Sequence, residues 1–446
     1  MKRPGNLIDA IPEFRTAGKS VRIAPNTTVP LTARLIKIID SHAFQRLRKI
    51  RQLSLSDRVY PSATHTRFSH ALGVYNTILC YLRHLDSYPE FHEVYDEQDY
   101  LSILLAGLLH DLGHYPCSHQ LDHLPQFPAH EELTVAIIEG TMAIEGENLG
   151  DLIRAEFDLD PRKITALLRE ESEQLPPHLR LLKQLIDSPL DADKCDYLPR
   201  DSYFCGVEFA SGFDMQRFIE NLVPINGRLG IHEKGLMGAE RFQLARYWMY
   251  RGVYWAHTVR ALITMLSSAC LFLEKGVSED KWTDRLVKFN DHNFLDWLHV
   301  HLDEPGRELI GMVHHGRQPY KRLLTTPYHH QPEDYMKLQE SPALRNQIMA
   351  ELRAWSAKKG LELSPHHLLW DVPPIYKTEN WETFPVLLSN GTVSEVARES
   401  PVVDALAKAF LQGVRKIRLF CHPKFAALVA AYPEEAPDIK AMVKRG

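Results

Sequence analysis

The chain has 446 residues, is 44% hydrophobic and carries a net charge of −5. That length exceeds what one hydrophobic core usually supports, so a large domain with a smaller companion is expected. The charge excludes a general attractive field for nucleic acid, the six cysteines form no CxxC pair and fit a reduced, cytoplasmic setting, and no apolar run nears the roughly 18 residues that span a bilayer or follows Met1 as a leader.

Residues 1–30 read as an irregular segment, punctuated by Pro4, Pro12, Pro25 and Pro30. Helical patterning begins near Leu31 and continues to Leu53 at spacings of three and four. A second helix is predicted to start at Ser69 as N-cap and to carry His70, Val74, Ile78 and Leu82. A third carries Leu101, Leu104, Leu105, Leu108 and Leu109 and stops at Gly113. Further helices follow over Ala129–Gly140, Pro161–Arg169 and Leu179–Ile186. Ser188-Pro189 reads as N-cap and first residue of the segment Leu190–Ser202. One or two long helices run from Met237 to Leu273. Beyond about residue 275 prolines punctuate polar segments, with candidate strands at Phe384–Leu388 and Lys416–Cys421 and a helix Val402–Leu411 between them. The fold expected is mainly α: an irregular segment 1–30, a helical domain 31–275 and a smaller C-terminal α+β lobe 276–446.

The chemistry gathers where helices end. His110 and Asp111 are adjacent, and neighbouring helical residues diverge by about 100°, so such a pair grips a metal at the inner edge of a helix end. His70 upstream and Asp193 downstream complete a mixed imidazole and carboxylate set suited to one divalent ion with open positions. Arg67 shares a helix face with His70, a place for a phosphate-binding cation. Asp193, Tyr197 and Asp201 are spaced at four on one face, with Lys194 beside them. His114, His119, Asp122, His130 and Glu131 fall in or beside one connection, and a histidine beside an acid is the usual apparatus for protonating a leaving oxygen. Arg246, Tyr250, Tyr254 and His257 are spaced to line one helix face, by a substrate or in a packed core.

The segments Phe44–Leu53, Thr66–Val74, Ala106–His114, Cys117-Ser118-His119, His130-Glu131 and Asp191–Tyr197 resemble HD-domain deoxynucleoside triphosphate triphosphohydrolases, over roughly residues 30–270. The resemblance implies an HD-domain helical core. It implies that His70, His110, Asp111 and Asp193 hold the metal, whether manganese, magnesium or iron. Arg67, Lys194 and Arg246 are implied at the triphosphate. His114, His119 and His130 are implied around the α-phosphate, oriented by Asp122 and Glu131. Gln52 and Leu53 are implied at the deoxyribose, Tyr197 and Asp201 at the sugar, and Tyr254, with Tyr250 beside it, at the 2′ position. A leucine and a tyrosine ring against C2′ would bury a ribose hydroxyl without a partner, at a cost of about 1–3 kcal/mol. The implied reaction converts a dNTP to deoxynucleoside and inorganic triphosphate. Implied partners are the dNTP, further copies of the chain and a nucleotide activator, although Ile23-Ala24-Pro25-Asn26-Thr27 replaces the Asp-Pro-Ile-His-Gly segment that helps form the activator site of the animal enzymes.

Two other readings stand beside this one. The basic cluster Arg46, Arg48, Lys49 and Arg51 suits another nucleotide phosphohydrolase or a single-strand nuclease, with nucleic acid as partner. A non-catalytic nucleotide sensor would keep the fold and dispense with the metal.

Overall fold

Helix α1 (Arg67–Leu85) is buried on nearly every side: Phe68, Ala71, Leu72, Tyr75, Ile78, Leu79 and Leu82 point in all directions around its axis and none reaches solvent. A helix apolar all round belongs at the centre of a core. Helix α2 (Glu97–Leu109) is the same from Tyr100 onward. Its start is fixed by a capping box, in which Asp99 N–H donates to Asp96 at 2.9 Å and Asp96 N–H to Asp99 at 3.0 Å. The two helices approach closely at Gly107, where a Cβ would lie 2.3 Å from Ile78 Cδ1. Helices α3 (His130–Glu139), α4 (Pro161–Leu168) and α5 (Ala192–Phe204) complete the bundle around them. The computed structural model describes residues 7–15, 18–169, 175–273, 279–315, 319–373, 383–413 and 415–445.

Several element boundaries differ from the sequence expectation. The pattern from Leu31 to Leu53 is broken into Ala33–Asp40, His42–Gln45 and a 3₁₀ turn Arg46–Lys49. Ser41 takes extended backbone between the first two, and its hydroxyl accepts Phe44 N–H at 3.3 Å, which caps a new helix in place of continuing the old one. Helix α1 starts at Arg67; the Ser69 hydroxyl donates to the Thr66 carbonyl and caps nothing. Helix α5 is capped by Asp191, which accepts Lys194 N–H at 2.8 Å, while Ser188-Pro189 lies in the preceding turn. The segment before residue 30 is not wholly irregular: β1 (Lys19–Ile23) and β2 (Thr27–Leu31) form an antiparallel hairpin with Val21 opposite Val29.

The chain divides into two compact units, and the division is not one cut in sequence. The first comprises Met1–Met249, Ser278–Asp291 and Glu382–Asp404; the second comprises Tyr250–Val277, His292–Trp381 and Ala405–Gly446. In the first unit β3 (Leu222–Ile225) and β4 (Arg228–His232) make a hairpin that β7 (Pro385–Leu387) and β8 (Val393–Glu395) extend in the order β3-β4-β7-β8. Strand β7 joins parallel to β4, with Ile231 opposite Val386. In the second unit β5 (Lys321–Pro327), β6 (Leu368–Asp371) and β9 (Lys416–Cys421) form an antiparallel sheet in the order β5-β9-β6. Its core is Leu338, Ile348, Leu352, Leu419 and Phe425. The two strands read from sequence are thus β7 and β9, in different units. The molecule is mainly helical, with a smaller α+β portion.

Of the one or two long helices expected over Met237–Leu273, the structure has two. Helix α6 (Leu236–Met249) passes into a π-helical turn, Tyr250–Tyr254, and α7 (His257–Cys270) begins after Ala256 leaves helical backbone. Trp255 N–H reaches the Tyr250 carbonyl five residues back, at 2.9 Å. The wider turn shifts the angular phase, so Arg246, Tyr250, Tyr254 and His257 do not line one face of one regular helix.

Candidate metal centre and its cavity

Two helix starts and one helix end converge within the first unit. His70 lies in the first turn of α1, His110 and Asp111 directly follow α2, and Asp193 is in the first turn of α5. His110 Nδ1 lies 2.9 Å from the Gly107 carbonyl. A carbonyl only accepts, so the proton is on Nδ1 and Nε2 of the neutral ring keeps its lone pair. That Nε2 is buried and makes no hydrogen bond; it faces Asp111 Oδ1 at 3.4 Å and Asp193 Oδ1 at 3.7 Å. His70 Nδ1 donates to Asp196 Oδ2 at 2.9 Å, and its Nε2 faces Asp193 Oδ1 at 3.0 Å and Asp111 Oδ2 at 3.8 Å. Ligand atoms of His70, His110 and Asp193 lie within 4.8 Å of one another. The forced Nε2 lone pair of His110, the Nε2 of His70 beside it and two carboxylates make a donor set that fits a divalent cation. Asp193 leaves the cluster open to solvent on one side, its side chain being 30% exposed.

Charge is managed tightly here. Burial opposes ionisation of Asp111, yet Arg67, whose Nη1 donates to it at 2.6 Å, together with His110 and His114 holds its carboxyl well below the usual range. Burial likewise opposes charge on His70, but the carboxylates of Asp193 and Asp196 carry that ring up to about 10, so a cation held there would take the place of its Nε2 proton.

Beside this cluster three imidazoles gather: His114 and His130 stack at 3.8 Å between ring centroids, and His119 meets them edge-on at 4.5 Å and 4.7 Å. His114 is held by the Ser118 hydroxyl at 2.5 Å, and His130 Nδ1 by Asp122 at 3.1 Å and Glu131 at 3.2 Å. Burial and the nearby charge of Arg67 push the His114 ring well below its ordinary pKa. Gly113 lets the turn meet α3, since a Cβ there would sit 2.0 Å from the His130 carbonyl oxygen and 2.3 Å from Thr134 N. Arg46 fastens the same turn from outside, donating to the carbonyls of Leu112 at 2.5 Å and His114 at 2.7 Å. The basic cluster is therefore divided: Arg46 and Arg51 are taken up by the fold, while Arg48 and Lys49 remain exposed. Arg48 lies 3.6 Å over the Phe68 ring and Arg51 pairs with Asp57 at 2.7 Å.

A cavity of about 800 Å³ opens at this place. His110, Asp111, His114, His119, His130, Glu131 and Asp193 line one part, and Leu167, Leu168, Arg169, Lys183 and Ile186 another. The volume is in the range of small-ligand sites. Of the other anticipated residues, Gln52, Leu53, Arg67, Lys194, Tyr197 and Asp201 do not line it. Gln52 N–H donates to the His65 carbonyl at 3.0 Å, and Arg67 N–H to the Ile50 carbonyl at 3.0 Å, so the Gln52-Leu53 turn runs beside the start of α1. Asp201 is buried and pairs with His65 Nε2 at 2.7 Å. The Tyr197 ring lies 6.5 Å from that of His70. Lys194 Nζ is held by Asp191 at 2.6 Å. Arg246 is on α6 of the first unit, whereas Tyr250 and Tyr254 belong to the second, their rings edge to face at 5.1 Å. Sequence reasoning missed the supporting residues His65, Asp196, Arg200 and Arg46. The one available signal was spacing: Asp196 follows Asp193 by three and Arg200 follows Asp196 by four.

The second unit holds another histidine–carboxylate cluster. Glu308 faces His366 Nε2 at 2.7 Å, His367 Nε2 at 3.2 Å and His422 Nε2 at 3.7 Å. Here the tautomers run the other way. His367 Nδ1 accepts Ser364 N–H at 3.2 Å and His422 Nδ1 accepts Lys424 N–H at 3.1 Å. Each neutral ring therefore carries its proton on Nε2, where a metal would need a lone pair.

Comparison with known proteins gives a family for the stretch that carries these residues. The HD domain model matches residues 67–194, and the HD associated region model matches residues 213–442. The uncharacterized protein YwfO of Bacillus subtilis is 31% identical over 394 residues, covering 83% of this chain and 84% of that one. The mouse deoxynucleoside triphosphate triphosphohydrolase SAMHD1 is 32% identical over 212 residues, 42% of this chain and 31% of that one. A crystal structure of a hypothetical protein from Aquifex aeolicus superposes with a TM-score of 0.71 at 25% identity, covering 94% of this chain and 100% of that one. The chain spans between 51% and 59% of the length of the Mycoplasma relatives it matches.

Proposed function

The chain belongs to the HD-domain phosphohydrolase family and carries that family's HD associated region, and from that premise we propose that it hydrolyses dNTPs to deoxynucleoside and inorganic triphosphate. The observation that carries the reading is the convergence of two imidazoles and two carboxylates beside a histidine triad and a nucleotide-sized cavity. The likeness of residues along the HD region to the mouse triphosphohydrolase supports the choice of substrate.

In this reading His70, His110, Asp111 and Asp193 hold the divalent ion, with manganese, magnesium and iron all compatible with the donor set. When bound, the ion supplies a Lewis acid at a phosphoryl oxygen. Arg67, Lys194 and Arg246 offset the charge of the phosphates. Water adds to the α-phosphorus as the bond from phosphorus to O5′ breaks, and the proton the water loses passes through His119, with His114 and His130 as neighbours able to relay it, to the departing O5′, so that the buried ring need not rest protonated. Asp122 and Glu131 fix the orientation of His130. Gln52, Leu53, Tyr197 and Asp201 serve the sugar, and Tyr250 with Tyr254 the 2′ position. Arg46 and Arg51 are engaged within the fold, which leaves only Arg48 and Lys49 of the basic cluster facing outward for the alternative oligonucleotide substrate.

The test is incubation with each of the four dNTPs and Mn²⁺, with products resolved by anion exchange. Intact triphosphate together with deoxynucleoside is the expected result. Pyrophosphate with a nucleoside monophosphate would move the cleaved bond and overturn the reading.

A further inference from the structure

Arg200 is among the largest side chains with no exposure at all. A fully enclosed guanidinium is costly unless every donor is used. Arg200 Nε donates to Asp196 Oδ2 at 2.8 Å and Nη2 to Asp196 Oδ1 at 2.7 Å, a two-pronged grip on one carboxylate. Its Nη1 donates to the Ala24 carbonyl in the turn of the β1–β2 hairpin. The same carboxylate accepts His70 Nδ1–H at 2.9 Å. Helix α1 is shaped to receive the pair. Gly73 faces it, and a Cβ there would lie 1.8 Å from Asp196 Oδ1 and 2.5 Å from Arg200 Nη2.

The two imidazoles of the metal centre are oriented by different means. His110 uses the Gly107 carbonyl of its own helix, three residues back. His70 sits in the first turn of α1 and takes its orientation from a side chain on α5. Asp196 and Arg200 lie four apart on α5, so the plain alternative is an intrahelical ion pair that contributes only stability. That alternative leaves the His70 contact and the glycine at residue 73 unexplained.

We infer that Asp196 and Arg200 are positioning residues for the metal centre: Arg200 locks the Asp196 carboxylate, and Asp196 locks the tautomer and ring plane of His70. The inference rests on the reading of His70 as a metal ligand. Outer partners of ligating histidines typically contribute about 10- to 100-fold in metal affinity.

The test measures Mn²⁺ binding to the full-length, metal-stripped chain by competition with a chromogenic chelator, alongside turnover and thermal melting. Asp196→Asn is expected to bind Mn²⁺ about 10- to 100-fold more weakly. Raising Mn²⁺ should restore its turnover, with the KM for dNTP at saturating metal unchanged. Arg200→Lys keeps the charge, loses the two-pronged grip, and should shift affinity in the same direction by less. If Asp196→Asn does not fold, Arg200→Lys carries the test. Wild-type affinity in a folded variant overturns the inference, even if its melting temperature falls. Wild-type protein that takes up no Mn²⁺ overturns the metal reading itself, and this inference with it.

Discussion

His110 and His367 are both imidazoles beside carboxylates, and one hydrogen bond separates their chemistry. The first gives its Nδ1 proton to a carbonyl and keeps an Nε2 lone pair; the second accepts a backbone N–H at Nδ1 and has none to offer. Asp111→Ala should therefore abolish both Mn²⁺ uptake and turnover, measured by equilibrium dialysis and triphosphate release. Glu308→Gln should leave Mn²⁺ uptake by the chain unchanged in the same dialysis, because His367 and His422 turn proton donors toward it. At this scale the sequence was informative about residue type. His70, His110, Asp111 and Asp193 stood out because each lies at a helix end, and the structure brings all four together. The tautomers were not legible, since they depend on which backbone groups each ring meets. Nor were His65, Asp196 and Arg200 legible as partners, because nothing along the chain tells which carboxylate a buried cation will grip.

Elements were legible where periodicity was unbroken and illegible where a polar side chain or a phase shift ended them. Helices α1 to α5 each fall within a few residues of where the sequence placed one. Ser41 and Asp191 each set a boundary through one side-chain hydrogen bond, which competes with a pattern that would otherwise continue. The turn between α2 and α3 depends on the bare α-carbon of Gly113. Gly113→Ala would drive a methyl into the backbone of His130 and Thr134 and should cost about 1–3 kcal/mol or more, with loss of turnover, read from urea melts and product release. The segment ending at Asp291 carries a pH dependence. Burial pushes the Asp291 carboxyl up to about 6, although it accepts Arg51 N–H at 2.6 Å. The folded chain thus holds this proton more tightly than the unfolded chain, whose pKa is about 3.9. The stability it contributes is complete below about pH 4 and is lost as pH rises through 6. Asp291→Asn should flatten the melting temperature across that window and stabilise the chain at pH 7 by on the order of 1–2 kcal/mol, checked by thermal melts from pH 4 to 8.

The whole molecule departs furthest from a linear reading. A composition change near residue 275 marks where the polar, proline-punctuated region begins, yet the first unit recruits residues 278–291 and 382–404 from beyond it. Pairing of β7 with β4 joins residues about 150 positions apart, and hydrophobic alternation carries no information about such a partner. A chain ended at residue 275 lacks β7 and β8 and leaves β4 with a bare edge. It should be aggregation-prone and bind a hydrophobic dye, whereas the full chain should not. The interleaving also sets an order on biosynthesis. The ribosome releases every helix that carries a candidate metal ligand before residue 210, but the strands that finish the sheet of the first unit emerge only near residue 395, after much of the second unit. N-terminal-first folding, the usual course for successive domains, is closed to this chain. For the time needed to translate those intervening residues the nascent first unit waits with an open strand, a natural point for a chaperone to hold it.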